Sequence, residues 1–232
     1  GAGKAFCAGM DLSVGGNVFG LNEDLAPTMA DLEERYDDPE IIAGVRDTGG
    51  RVTLAIYECN KPVIAAINGA AVGVGMTYPM LCDIRLASDT AKMGFVFTRR
   101  GMMPELAAHL IVQRVAGFSN AADVLLSGRI FTGAEAAEMG LVSRALPQEE
   151  LLPAAQEMAR DYVNTAPASV AVTKRLLWRG LDSNPRDMMK LEGPAFAWLG
   201  NQADAKEGIL SFLEKRTPDW TLTPQDIPDD LI

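Results

Sequence analysis

Apolar positions recur along the 232 residues in two rhythms. Short apolar runs bounded by Gly, Pro, Asn or Asp mark strands. Residues 61–67 are the clearest, with 62–67 reading as a buried strand, and 82–87 and 91–97 follow. Spacings of three and four residues mark helices. Residues 29–36 form a short acidic one. Residues 39–58 read as a longer one, because Ile41, Ile42, Val45, Val52, Leu54 and Ile56 fall at helical intervals, although Gly49-Gly50 weakens its middle. Residues 76–81, 105–116, 120–126 and 134–139 continue the helical pattern, with Gly140 as a C-terminal cap and 141–146 extended after it. Beyond Gln148 the chain is helical in character, over 149–165, 167–179, 187–199 and 203–215. Residues 1–9 read as a turn entering a ligand site, 13–28 as a loop and 218–232 as an irregular tail. The pattern predicts an α/β core over 1–147 and a helical region over 148–232, without internal repeats.

Charge narrows the partners. Thirty-one acidic against 21 basic residues give a net charge of −10, the wrong sign for nucleic acid. Cys7, Cys59 and Cys82 form an odd set without a CxxC pair, as expected of reduced thiols in a cytoplasmic protein. No apolar run approaches the roughly 18 residues of a membrane helix, and residues 1–7 lack the apolar core of a signal peptide. The single histidine, His109, leaves no Ser-His-Asp triad and no multi-histidine metal site.

The most informative stretch is Gly69-Ala70-Ala71-Val72-Gly73-Val74-Gly75, between the strand over 61–67 and the helix over 76–81. A glycine-rich strand–helix turn brings backbone N–H groups close to a ligand. Such a turn suits a phosphate or an oxygen that becomes negative during a reaction. It is also found as a tight connection and nothing more, and the loop alone does not separate these readings.

An ordered set of motifs does more. Gly3-Lys4-Ala5-Phe6-Cys7-Ala8-Gly9-Met10-Asp11-Leu12 and Lys61-Pro62-Val63-Ile64-Ala65-Ala66-Ile67-Asn68-Gly69 come first. Gly73-Val74-Gly75, Cys82-Asp83-Ile84-Arg85-Leu86-Ala87-Ser88, Ser127-Gly128-Arg129 and Ala134-Glu135-Ala136-Ala137-Glu138-Met139-Gly140-Leu141-Val142 follow, and Glu207-Gly208-Ile209 through Phe212-Leu213-Glu214-Lys215-Arg216 close the set. In order and spacing the chain resembles the crotonase, or enoyl-CoA hydratase/isomerase, superfamily. The resemblance implies a crotonase/ClpP-like ββα spiral with an α-helical C-terminal trimerisation region. It also implies a homotrimer or homohexamer. Members usually carry two more strands and a helix ahead of this first motif, so an omitted or trimmed start is expected.

The resemblance further implies an acyl-CoA thioester as substrate, with no separate cofactor and no metal. By position, the backbone N–H groups of Met10 and Val74 would hold the thioester oxygen of an enolate, with Gly75 beside Val74. Family hydratases use two glutamates, and Thr77 and Phe97 stand at those positions here; neither transfers a proton as a carboxylate does. Glu105 falls where Δ3-Δ2-enoyl-CoA isomerases of the family carry one catalytic glutamate. Among Met102, Met103, Pro104 and Leu106 its carboxyl could be desolvated and its pKa raised; read alone, it is also an ordinary helix-start glutamate. Lys4, Phe6, Ala8, Asp11, Phe212 and Lys215 are the expected CoA contacts, with core packing the competing reading for Phe212 and a solvated face for Lys215. Thr77 and Tyr78 could offer hydroxyls to a substrate or water. Arg99 and Arg100 read chiefly as surface or salt-bridge residues, one of which could face the pocket. Asp123 reads as a solvated or capping group. His109 would share a helix face with Glu105, four residues away. The expected function is a hydratase/isomerase-family enzyme with an isomerase-type proton shuttle. The alternatives are a non-catalytic acyl-CoA-binding member and a structural subunit with the same fold.

Overall fold

The computed structural model describes residues 1–13, 28–35, 38–44 and 48–231. Among these residues the seven strands are short. They are β1 (Ala5–Cys7), β2 (Ile64–Ile67), β3 (Ala70–Val72), β4 (Ile84–Ser88), β5 (Lys92–Gly94), β6 (Phe131–Thr132) and β7 (Arg144–Leu146). They form two sheets, ordered β1-β3-β5-β6 and β2-β4-β7. β1, β3 and β5 run parallel, with Ala5 opposite Ala70 and Ala71 opposite Met93, and β6 closes that sheet antiparallel. β4 and β7 also pair in parallel. Consecutive strands thus go to different sheets: β2 to one and β3 to the other, then β4 and β5 likewise. In β2, Ala65 and Ile67 are buried and Ile64 and Ala66 half-buried, so neither face is left fully to water and 62–67 reads as one apolar run. Ile67, Ala71, Met76, Met80, Leu86, Met93 and Phe95 are fully buried, and Phe95 meets Phe131 with ring centres 6.3 Å apart.

Several elements differ from those the pattern predicts. The stretch 69–75 is not one turn between a strand and a helix. It contains β3, so the chain leaves one sheet at Ile67 and joins the other at Ala70. Residues 1–9 likewise contain β1. Strands of three residues flanked by glycine are too short to set up a period. The strand over 61–67 begins only at Ile64, and that over 91–97 is confined to Lys92–Gly94. The helix over 76–81 is α4 (Val74–Thr77) followed by a 3₁₀ turn, Tyr78–Leu81. Ahead of β2 the described helices are α1 (Met29–Glu34), α2 (Pro39–Gly44) and α3 (Thr48–Tyr57). Gly49-Gly50 sits in the first turn of α3 rather than mid-helix. Residues 45–47, and nearly all of the loop expected over 13–28, lie outside the described residues.

After β5 come α5 (Ala108–Ala116), α6 (Phe118–Ser127) and α7 (Gly133–Glu138). α7 starts with a capping box: Thr132 Oγ1 accepts from the Glu135 N–H at 3.1 Å, and Glu135 accepts from the Thr132 N–H at 2.8 Å. Arg129 ties Asp123 and Glu135 together from the turn before it, so Asp123 is an ion-pair partner.

The contacts divide the chain into two units. One comprises 1–57 and 65–152, the other 58–64 and 153–232, with α8 (Gln148–Asp161) running from the first into the second. The second unit holds α9 (Pro167–Gly180), α10 (Pro185–Gly200) and α11 (Ala203–Glu214). Its core is Ala168, Ala171, Val172, Ala195 and Ile227. The tail therefore contributes to the core although it is irregular apart from a 3₁₀ turn at Pro224–Asp226. Asp204 on α11 fastens it, accepting from the Thr221 N–H and hydroxyl and the Leu222 N–H.

Candidate active site

Two loops leave the same end of the β1-β3-β5 sheet and pack backbone against backbone. Gly75 is buried, and a Cβ there would collide with the Cys7 carbonyl oxygen. Gly9 has φ +92°, and a Cβ on it would sit 2.9 Å from the Val72 carbonyl oxygen. Only glycine permits both the approach and the dihedral. The loops bring Ala8, Gly9 and Met10 alongside Val72, Gly73 and Val74 on the wall of an open cleft of about 180 Å³. At the start of α4 the first hydrogen bonds inward come from Met76 and Thr77 to the Gly73 carbonyl. The N–H groups of Val74 and Gly75 precede that ladder, as the opening donors of any helix do.

The rest of the lining comes mainly from a segment after β5: Val96, Phe97, Arg100, Met102 and Glu105. Glu105 is not a helix residue. Leu106 and Ala107 both have positive φ, 59° and 57°, and α5 begins only at Ala108, whose N–H bonds back to the Glu105 carbonyl at 3.1 Å. The predicted helix over 105–116 is thus three residues too long, and the shared helix face of Glu105 and His109 does not exist. Exposed His109 instead lines a separate apolar groove with Met103, Pro104 and Phe118. Neither Leu nor Ala signals a left-handed backbone, so this break is invisible in sequence.

Residues 1–223 match the family model described as enoyl-CoA hydratase/isomerase. The chain belongs to that family. It is 36% identical over 220 residues to the enoyl-CoA hydratase ACTT3 of Alternaria alternata, covering 94% of this chain and 68% of that protein. The crystal structure of an enoyl-CoA hydratase from Bacillus anthracis matches with TM-score 0.76 at 27% identity, covering 94% of this chain and 77% of the other. One from Mycobacterium smegmatis gives 0.75 at 26%, covering 94% and 78%. The α/β architecture is therefore the crotonase fold, and the family is one of enzymes that process acyl-CoA.

Within this hydratase/isomerase fold, Ala8, Met10, Val74, Phe97 and Glu105 meet at one cleft. Thr77 is fully buried and donates its hydroxyl to the Val74 carbonyl at 3.2 Å. Tyr78 stacks on Phe6, with ring centres 5.7 Å apart. Its phenol is pushed up to about 12, by burial first and by the Cys7 and Cys82 thiols second. It is a neutral packing group at physiological pH. Lys4 lies at the other end of β1 from the cleft, in a groove with Asn68, Thr90 and Lys92. Asp11 is exposed and turns onto Ser13, whose hydroxyl and N–H hold its carboxyl below its ordinary value. Phe212 is 80% exposed on α11, which removes the core-packing reading, and Lys215 is its exposed left-handed cap, with φ 53°. Arg99 bonds the Ser127 carbonyl at 3.0 Å, whereas Arg100 faces the cleft. The sequence pointed to one arginine of the pair without choosing between them.

Proposed function

We propose that the chain is an acyl-CoA enzyme that stabilises a thioester enolate and uses Glu105 as its only acid/base, shuttling a proton as an isomerase does. One observation supports this most: the glycine-fitted loops carrying the Met10 and Val74 N–H groups and the segment carrying Glu105 line the same cleft. Ala8 borders the cleft, and Phe6 and Gly75 pack behind it against Tyr78 and Cys7. In this reading the Glu105 carboxylate removes a proton from the α-carbon of a 3-enoyl-CoA. The electron pair moves into the thioester, leaving a dienolate oxygen at the two N–H groups, each worth about 3 kcal/mol in comparable sites. The carboxylic acid so formed returns the proton at the γ-carbon, giving the 2-enoyl-CoA. Hydration by a glutamate pair finds no support, since apolar Phe97 and the occupied hydroxyl of Thr77 stand at the two positions.

A panel of 2-enoyl- and 3-enoyl-CoA thioesters tests this, with double-bond position and water addition both read out. Double-bond migration without hydration is expected, and Glu105→Gln should lower it by about 10²–10⁴-fold. Unchanged turnover in that variant removes Glu105 from the mechanism. Tight binding of CoA esters with no turnover identifies a binding protein instead.

A further inference from the structure

Arg100 is the only cation on the cleft wall among the described residues, where it stands with apolar Val96, Phe97 and Met102 and with the carboxylate Glu105. Its hydrogen bond there is a long contact, 3.3 Å, to the neutral Arg99 carbonyl. Three other arginines of this acidic chain are ion-paired, Arg35 with Asp38 and Glu40, Arg129 with Asp123 and Glu135, and Arg216 with Glu207 and Glu214. With a net charge of −10, carboxylates are abundant. Exposed Arg100 presents at the cleft a planar fork of donors shaped for an oxyanion.

Its place in the cleft selects the anion. Met10 and Val74 come from the loops after β1 and β3, whereas Phe97, Arg100, Met102 and Glu105 come from the segment after β5. With the thioester oxygen at the Met10 and Val74 N–H groups and the α-carbon at Glu105, an acyl chain that continues past Glu105 would reach Arg100, which lines the same cleft. We propose that Arg100 is a specificity-determining residue that receives a carboxylate at the far end of the acyl chain, so that the preferred substrates are CoA thioesters of short dicarboxylic acids. This rests on the acyl-CoA reading above. The small cleft, about 180 Å³ against roughly 300–1,000 Å³ for ordinary ligand pockets, matches a short chain. Phe97 and Met102 supply the apolar surface for its methylenes.

The test compares glutaryl-CoA with valeryl-CoA, which have equal chain length, and with free CoA, by calorimetry on the whole chain. These saturated ligands bind without reacting, so the readout does not depend on Glu105. The wild type should bind glutaryl-CoA at least about tenfold more tightly than valeryl-CoA. Arg100→Met should abolish that preference while changing the affinities for valeryl-CoA and free CoA by less than about twofold, and Arg100→Lys should keep part of it. Equal binding of the two thioesters by the wild type overturns the assignment and leaves the acyl-CoA reading intact. So does an equal loss for both thioesters and free CoA in Arg100→Met, which would place Arg100 on the CoA phosphates. If neither thioester binds, both readings fall.

Discussion

Gly75 has no room for a methyl group, because the Cys7 carbonyl occupies the space a Cβ would take. Gly75→Ala must push β1 and α4 apart. A cost of about 1–3 kcal/mol is expected from overpacking. Turnover should fall further, by about a hundredfold, because a shift near 1 Å at Val74 misplaces a donor. Urea unfolding and steady-state rates together check this; a normal rate in a destabilised protein would remove the donor role. Thr77 makes the opposite case. Its hydroxyl is already used on the Val74 carbonyl, so Thr77→Val should cost about 1 kcal/mol and leave kcat within about twofold. A loss of a hundredfold or more would put the hydroxyl in the chemistry. The identity of both residues was evident in the sequence, but what each touches was not.

At the scale of elements, periodicity located most helices and missed the features that aim side chains. In the sequence, the segment from Phe97 to Ala108 reads as the end of a strand and, from Glu105, the start of a helix. It is instead a 3₁₀ turn, Thr98–Arg100, an irregular stretch and a left-handed pair, which together put Phe97, Arg100 and Glu105 on one wall. The start of α7 was more predictable, since Thr132 and Glu135 have capping-box spacing; Thr132→Ala should lower stability by about 1 kcal/mol, moving the urea midpoint without changing the slope. The tail on α11 is a pH-sensitive joint. Arg216 and the Asp219 N–H hold the Glu207 carboxyl down to about 2. Burial opposes ionisation of Asp204, but the hydrogen bonds from Thr221 and Leu222 outweigh it and keep that pKa below 3.8. Both folded-state values lie below the unfolded ones. Their stabilisation is therefore complete above about pH 4.5, Glu207's ordinary value, and is lost as pH falls toward about 2. Trp220 donates to the Asn164 carbonyl at 3.1 Å, so its fluorescence should report the loosening. An acid-side slope in Asp204→Asn identical to that of wild type would show that Asp204 does not drive it.

For the whole molecule, the family and the α/β class could be read from the order of motifs, and the comparisons bear them out. In the isolated chain, Leu177 on α9 and Met189 and Phe196 on α10 are 70%, 70% and 81% exposed. That much apolar surface in water points to a partner surface, in keeping with the homotrimer or homohexamer proposed from the family resemblance. Sedimentation should give three or six chain masses, and Phe196→Asp should reduce them; a monomeric wild type would end that proposal. No described helix is long and apolar enough to cross a membrane.

The sequence by itself determined the local chemistry of this protein: which glycines can turn, where apolar runs must be buried, and that charge disfavours nucleic acid. Those properties depend on residue type and spacing over a few positions. Tertiary structure alone decided that the 69–75 stretch crosses between two sheets, that Glu105 lies outside its helix, that Thr77 is spent on a carbonyl, and that Arg100 rather than Arg99 faces the cleft. Each depends on contacts between segments distant in the chain, or on a backbone dihedral that neither Leu nor Ala announces, and neither leaves a periodic trace in the sequence.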